Sequence, residues 1–149
     1  MADLKVKRRV LSACQTNCYY VYREGADEIV IIDPGSNGEM VYDDVKSLGF
    51  EKVAGILLTH GHGDHTGGAL QLKQLSCARI FAYEEEAEIL RDPEKNLSGW
   101  FGKAYGFEAD EYFRDKQNFS MAGVDFEVIH TPGHTKGGCC YYIPDDKTM

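Results

Sequence analysis

The stretch that decides the fold reads Thr59-His60-Gly61-His62-Gly63-Asp64-His65-Thr66-Gly67-Gly68. It follows Val53–Leu58, a mostly apolar run with the length of a strand that is buried on both faces. Three histidines and one aspartate lie within six residues of it. Histidine is the commonest metal ligand at neutral pH, because its neutral ring offers a lone pair without first losing a proton. The stretch therefore predicts a metal-binding loop at the end of a strand.

A second histidine segment, His130-Thr131-Pro132-Gly133-His134-Thr135, follows a strand predicted over Val124–Ile129. The two segments contain all five histidines of the chain. Ligands of open α/β sheets bind at such strand ends, so we expect the two loops to meet. His134, in the tight turn after Pro132-Gly133, is the better ligand of this segment. His130, at the strand end, suits a supporting or packing role.

The spacing within the first stretch suggests two neighbouring ions. Alternate residues of a loop can point the same way, so His60 and His62 can converge on one ion. Asp64 and His65, beyond a bend at Gly63, can then aim at a second ion. Imidazoles with one carboxylate suit Zn²⁺, and also Fe or Mn. The alternative, polar residues of an exposed loop, would suit a lone histidine better than this cluster.

The glycines of the first stretch have separate expected roles. Gly61 and Gly63 leave room for the backbone to approach the metals and can adopt positive φ. Gly67 and Gly68 allow the following helix to start close to the sheet. We therefore expect close contacts of the backbone around both pairs.

Strands and helices alternate along most of the chain, which predicts an α/β fold. Strands are predicted over 4–11, 18–22, 28–32, 53–58, 78–82, 119–121, 124–129 and 139–143, and helices over 39–48, 69–75 and 84–91. The aromatic segment 92–116 is predicted as a loop with one or two helical turns. It is either a lid over a site or a surface loop that packs its own aromatic side chains.

Length and charge limit the function further. A chain of 149 residues is the size of one domain, here 1–149, and its net charge of −8 disfavours binding to nucleic acids or anionic membranes. Five cysteines in no disulfide-scaffold pattern, and an N-terminus without an apolar signal core, predict a cytoplasmic protein. The expected partner is a small-molecule substrate, and the sequence leaves the oligomeric state open.

The motifs together resemble the metallo-β-lactamase-fold hydrolases, in the compact glyoxalase II-like (hydroxyacylglutathione hydrolase-like) group. The matching segments are Thr16-Asn17-Cys18-Tyr19, Ile32-Asp33-Pro34-Gly35, the histidine stretch from Thr59 to His65, and Thr131-Pro132-Gly133-His134-Thr135. The third is highly specific to that superfamily, and the fourth follows it at the expected distance. The resemblance spans nearly the whole chain and implies an αββα sandwich.

The resemblance also implies roles for individual residues. It puts His60, His62 and His134 on a first metal, and Asp64 and His65 on a second. Asp64 would also orient a metal-bound hydroxide that cleaves a thioester or a lactone. Asp33 would either support one of the ligands or bond the local backbone of its turn.

One departure from the family is expected to matter. Family members continue into a Ser-Gly-Asp-like segment whose aspartate bridges both metals, and later supply one more histidine. This chain reaches Met149 without either, so the sandwich looks incomplete at the C-terminus, with the N-terminal half and the start of the second half present. Asp145 and Asp146 are expected in a turn, and Cys139 and Cys140 within a strand, rather than as substitute ligands.

Three functions stay open on the sequence. The first is the binuclear hydrolase, which the presence of both Asp64 and His65 favours. The second is an iron-dependent oxidoreductase similar to the persulfide dioxygenases, with one metal on three ligands. The third is a non-catalytic, truncated remnant of the fold.

Overall fold

The computed structural model describes residues 2–11 and 14–148, so Met1 and Met149, the ends of the predicted domain, lie outside the described residues. A six-stranded sheet, here sheet A, has its strands in chain order. They are β1 (Leu4–Leu11), β2 (Thr16–Arg23), β3 (Glu28–Ile32), β4 (Lys52–Leu57), β5 (Ile80–Tyr83) and β6 (Glu111–Phe113). The first three strands are antiparallel, and β3 to β6 run parallel.

Sheet B is a smaller antiparallel sheet in the order β7-β8-β9. Its strands are β7 (Asn118–Met121), β8 (Val124–His130) and β9 (Cys139–Tyr142). The β7–β8 hairpin turns at Ala122 and Gly123, which both have positive φ (53° and 74°), as a tight two-residue hairpin turn requires. The sequence predicts this hairpin at the same two residues.

Five helices connect the described strands, with bounds α1 (Gly38–Ser47), α2 (Gly63–Thr66), α3 (Ala69–Ser76), α4 (Ala87–Arg91) and α5 (Pro93–Asn96). The start of α1 is set by Asn37, whose side chain accepts a hydrogen bond from the Met40 amide at 3.1 Å. Val41 and Val45 form its buried face. Gly49, with φ of 92°, follows its end as predicted.

Alternation along β3 shows how the layers form. Ile29 and Ile31 pack into a core with α1 and α3, whereas Val30 and Ile32 face a second core shared with sheet B. A strand with both faces buried is apolar throughout, as the sequence of β3 indicates. The described layers are therefore helices, sheet A and sheet B, a mixed α/β arrangement that corresponds to three of the four layers of the αββα sandwich that the resemblance implies.

Three local predictions need correction. Residues 111–113 form β6 at the edge of sheet A, within a segment that the sequence predicted as loop. Residues 63–66 form the short helix α2 instead of a loop. The predicted helix 84–91 begins as a 3₁₀ turn over Glu84–Glu86 and becomes α-helical only at Ala87. Short elements of this kind carry too few residues for a periodic pattern.

The aromatic segment 92–116 lies beside α2. Tyr105 Oη and Thr66 Oγ1 are 2.6 Å apart, and the Trp100 side chain is 78% exposed. None of residues 92–116, all of which the structure describes, lines the cavity around the histidines. In this structure the segment is thus a surface loop with two helical turns and one strand. Among the described residues, no helix is long and apolar enough to span a membrane.

Candidate metal centre

The two histidine loops meet at one edge of the sandwich. The first follows β4, and the second joins β8 to β9. The Cys139 amide donates to the carbonyl of Thr59 at 2.9 Å, and the Tyr141 hydroxyl donates to the carbonyl of Leu58 at 2.6 Å. These bonds fasten sheet B to the end of β4, and they bring His134 to the first loop across more than 70 residues of sequence.

His60, His62 and His134 form a first cluster, here the His-rich group. One ring nitrogen of each lies within 4.8 Å of the others. His62 Nδ1 and His134 Nε2 are 3.0 Å apart, and each pair of rings is nearly perpendicular, at 81° to 86°. Two nitrogens bound to one tetrahedral Zn²⁺ lie about 3.4 Å apart, given a Zn–N distance of about 2.0–2.1 Å. The spacing of this group therefore fits one ion.

The protonation of the group suits metal binding. Burial, and after it the nearby His65, lower the pKa of His60 to about 4. Burial and then His134 lower the pKa of His62. Both rings are thus neutral near pH 7, as a metal ligand must be. His60 Nε2 is buried and has no hydrogen-bond partner among the described residues, which is unusual for a buried polar atom unless a ligand completes it.

His60, Asp64 and His65 form a second cluster, here the mixed group, whose ligand atoms also lie within 4.8 Å of one another. His65 Nε2 is 3.6 Å from Asp64 Oδ2, and the His60 and His65 rings have centroids 3.8 Å apart. Thr16 Oγ1 donates to Asp64 Oδ2 at 3.0 Å and fixes that carboxylate. His60 belongs to both groups. A neutral imidazole has a free lone pair on only one of its two ring nitrogens, so His60 can bind an ion in only one of the groups.

Asp33 supports the mixed group from behind. It is 3% exposed at the end of β3 and accepts hydrogen bonds from the Thr59 amide and hydroxyl. His65 Nδ1 lies 2.8 Å from Asp33 Oδ2. An ionised carboxylate only accepts, so Nδ1 carries the proton and Nε2 keeps its lone pair toward Asp64. Two roles were expected for Asp33, support of a ligand and bonding to the backbone of its own turn. The structure shows contact with the candidate ligand His65, and the backbone amide that Asp33 bonds, that of Thr59, is distant in sequence.

Close glycine contacts join the segment that follows Asp33 to the segment that follows α2. A Cβ added at Gly67 would lie 2.4 Å from the Gly35 carbonyl oxygen, and one at Gly68 would lie 2.8 Å from the Ser36 carbonyl oxygen. The start of α3 thus lies close to the loop that follows β3. Gly61 and Gly63 do not use the positive φ that glycine permits. These two glycines instead make room for other segments, namely Glu86 and Ile89 at Gly61, and residues 98 and 101 at Gly63.

The remaining candidates lie where the sequence suggests. His130 is outside both groups, since its ring stacks on Tyr83 (4.3 Å between centroids) and its Nε2 is 2.8 Å from the Lys136 carbonyl oxygen. Cys139 is buried in the core of the two sheets, and Cys140 borders the cavity. Asp146 forms an ion pair with Arg23 at 2.9 Å and belongs to neither group.

Glu86 is a residue that the sequence reasoning missed. Its buried carboxylate accepts a hydrogen bond from the amide of Gly61 in the first loop. It also accepts one from the amide of Gly137 in the second loop, at 3.0 Å. The sequence presents it only as the third of three consecutive glutamates, of which the first two are exposed. A single sequence gives no sign of which glutamate points inward.

A cavity of about 620 Å³ opens over the two groups. Its lining includes His60, Asp64, His65 and His134, together with Thr135, whose buried hydroxyl bonds to no residue in the part of the chain that the structure describes. The volume lies within the range of small-molecule sites, about 300–1,000 Å³. The arrangement can hold at least one cation at the base of a substrate-sized cavity.

Comparison with known proteins gives the same family as the motifs. Residues 11–149 match the metallo-beta-lactamase superfamily. A probable metallo-hydrolase of Streptococcus pyogenes serotype M6 is 33% identical over 154 residues, which covers 98% of this chain and 64% of that protein. Hydroxyacylglutathione hydrolase GloC of Haemophilus influenzae is 32% identical over 130 residues, which covers 85% of this chain and 60% of that protein.

The same fold is found among solved structures. The crystal structure of the B3 metallo-beta-lactamase BLEG-1 superposes with a TM-score of 0.86 at 30% sequence identity, over 95% of this chain and 68% of that one. This chain spans about three-fifths of the length of the curated relatives it matches. The match over residues 11–149, together with these similarities, shows that the chain belongs to the metallo-beta-lactamase superfamily.

Proposed function

We propose that this chain carries the metal-binding part of a metal-dependent hydrolase that cleaves a thioester or a lactone. One observation carries the proposal: three imidazoles converge within 4.8 Å, beside a fixed carboxylate, at the base of a cavity. His60, His62 and His134 would hold one Zn²⁺. Asp64 and His65 would contribute to a second.

The metal and the protein would share the chemistry. A bound Zn²⁺ supplies a water whose pKa is near neutral and polarises the carbonyl that is attacked. Burial keeps the imidazoles of His60 and His62 neutral, so these two are ready to bind the ion. Thr16 holds the Asp64 carboxylate, which can accept a hydrogen bond from the attacking water and orient it.

The substrate class follows from the leaving group. A thiolate leaves readily, because the conjugate thiol has a pKa of about 8.5, and it needs no strong acid beside it. A lactone is likewise an activated ester. The name of the Haemophilus relative, a hydroxyacylglutathione hydrolase, supports the thioester. The buried thiols of Cys18 and Cys139 support a reducing compartment, and we propose a cytoplasmic enzyme of small molecules.

A substrate panel tests this proposal. The zinc-loaded protein would be assayed with an S-acylglutathione thioester, a lactone, a chromogenic cephalosporin and a glutathione persulfide, with His134→Ala as the inactive control. We expect turnover of the thioester or the lactone that the control loses. Cleavage of the cephalosporin alone would contradict the substrate class. If the protein as purified contains iron and consumes oxygen on the persulfide, that result would contradict a hydrolase.

A further inference from the structure

We infer that Glu86 is a positioning residue, which holds the two histidine loops at the separation that one metal ion requires. Its two carboxylate oxygens accept from different loops, Oε2 from Gly61 and Oε1 from Gly137. Gly61 lies between the candidate ligands His60 and His62, and Gly137 follows His134 by three residues. The side chain thus joins the two parts of the His-rich group directly. The inference rests on the proposed metal-binding function.

The fit between Glu86 and the loops is close on both sides. A Cβ added at Gly61 would lie 3.1 Å from Glu86 Oε2. One added at Gly137 would lie 2.4 Å from the Glu86 amide nitrogen. Gly137 therefore has no room for a side chain where it meets this residue, and a side chain at Gly61 would crowd Glu86. Two independent glycine contacts at one residue indicate a close junction of three chain segments.

The chemistry of the junction requires a carboxylate. Glu86 is 1% exposed, and among the described residues it forms no ion pair with a lysine or arginine. Burying a charge is costly unless hydrogen bonds satisfy it, and two backbone amides do so here. A glutamine would present one oxygen and one NH₂ group, so one of the two amides would face a donor. Only a carboxylate presents an acceptor oxygen to each of the two loops at once.

A purely structural role would have a different consequence. If Glu86 only stabilised the fold, its replacement would lower the melting temperature and leave zinc affinity unchanged in the folded protein. If it positions the loops, the separation of His62 and His134 changes, and the metal site changes with it. Supporting residues of this kind typically affect metal affinity by about 10- to 100-fold. Metal affinity and ligand geometry therefore distinguish the two roles.

The test uses Glu86→Gln in the same chain, with Glu85→Gln as a matched control, because Glu85 is adjacent, exposed and of equal charge. Zinc affinity is measured by competition with a chromogenic chelator, and ligand geometry by the visible spectrum of the Co²⁺-substituted protein. We expect Glu86→Gln to weaken zinc binding by about 10- to 100-fold and to shift the Co²⁺ bands. Glu85→Gln should match the wild type in both. Wild-type affinity and spectrum in folded Glu86→Gln would overturn the inference.

Two further measurements cover the remaining outcomes. If Glu86→Gln does not fold, Glu86→Asp carries the test, since the shorter carboxylate reaches only one of the two amides and should weaken zinc binding less. A wild-type chain that binds no zinc would contradict the proposed function. Glu86 would then be tested without metal, by the nuclear Overhauser contact between the His62 and His134 rings. That contact should be present in the wild type and absent in Glu86→Gln, and its persistence would overturn the inference.

Discussion

Replacing Asp33 with asparagine should disturb the candidate metal centre without disturbing the backbone. Asp33 has a φ of 55°, which asparagine tolerates better than most residues. The asparagine oxygen can still accept from the Thr59 amide in place of Oδ1. Its NH₂ group then occupies the position of Oδ2, which faces His65 Nδ1. His65 must accept there, so its proton moves to Nε2 and its lone pair no longer faces the mixed group.

The size of the effect follows from the bonds that change. Asp33 Oδ2 accepts from His65 Nδ1 and from the Thr59 hydroxyl, so both bonds lose their charged acceptor. A hydrogen bond to a charged group is worth about 1.5–3 kcal/mol, and the uncharged NH₂ group replaces only part of that. For a domain of this size, each kcal/mol of lost stability lowers the melting temperature by about 2–4 °C. A loss of about 2 kcal/mol therefore lowers the melting temperature of the metal-free protein by about 4–8 °C. Metal affinity of the mixed group should fall by about 10- to 100-fold.

The pH dependence has a definite sign. Burial lowers the pKa of His65, but the hydrogen bond and charge of Asp33 outweigh it, so the pKa is raised. A group with a raised pKa stabilises the fold fully below its unfolded pKa of about 6.5 and loses that contribution as the pH rises through the folded pKa. The difference in melting temperature between wild type and Asp33→Asn should therefore be larger at about pH 6 than at about pH 9.

Nitrogen-15 spectra of the imidazoles at about pH 9, with melting curves at both pH values, provide the assay. The wild type should show His65 protonated at Nδ1, and Asp33→Asn should show it protonated at Nε2. The same tautomer in both proteins, or an equal melting temperature, would refute the account of how Asp33 supports His65.

Three further predictions concern the metal and the loops. A strong chelator should lower the melting temperature of zinc-loaded protein, and unchanged melting would contradict a metal held by the folded chain. Gly67→Ala should cost about 1–3 kcal/mol, because its Cβ would lie 2.4 Å from the Gly35 oxygen, whereas Gly99→Ala, with 3.6 Å to its nearest neighbour, should melt as the wild type does. Asp64→Asn should lower turnover by about 100-fold or more and keep the metal of the His-rich group; unimpaired turnover would refute its assigned role.

Long elements and the histidine clusters could be predicted from the sequence. The buried strands β3 and β4 are continuous apolar runs, and α1 has an apolar face between clear start and stop residues. The two histidine segments could be predicted to lie close together because both follow predicted strands, and the ends of such strands can meet at one edge of a sandwich. The resemblance then implies that His60, His62 and His134 share one metal, and the structure brings these three residues together.

The supporting contacts could not be predicted in the same way. Glu86 is one of three adjacent glutamates, and only the packing of the 3₁₀ turn against both loops turns it inward. The edge strand β6 has three residues, too few for a periodic pattern, and is defined by its pairing with β5. The contact by which Asp33 keeps the proton of His65 on Nδ1 joins two loops that are distant in sequence. Such features arise from tertiary contacts between segments.

The most direct test of the central claim is a zinc titration of the wild type, His134→Ala and His130→Ala. The two variants remove a histidine four residues apart in the same segment, but only His134 lies in the His-rich group. The account predicts one tightly bound zinc in the wild type, affinity reduced by about 100-fold or more in His134→Ala, and affinity within about threefold of wild type in His130→Ala. Equal affinity in His134→Ala and the wild type would contradict it.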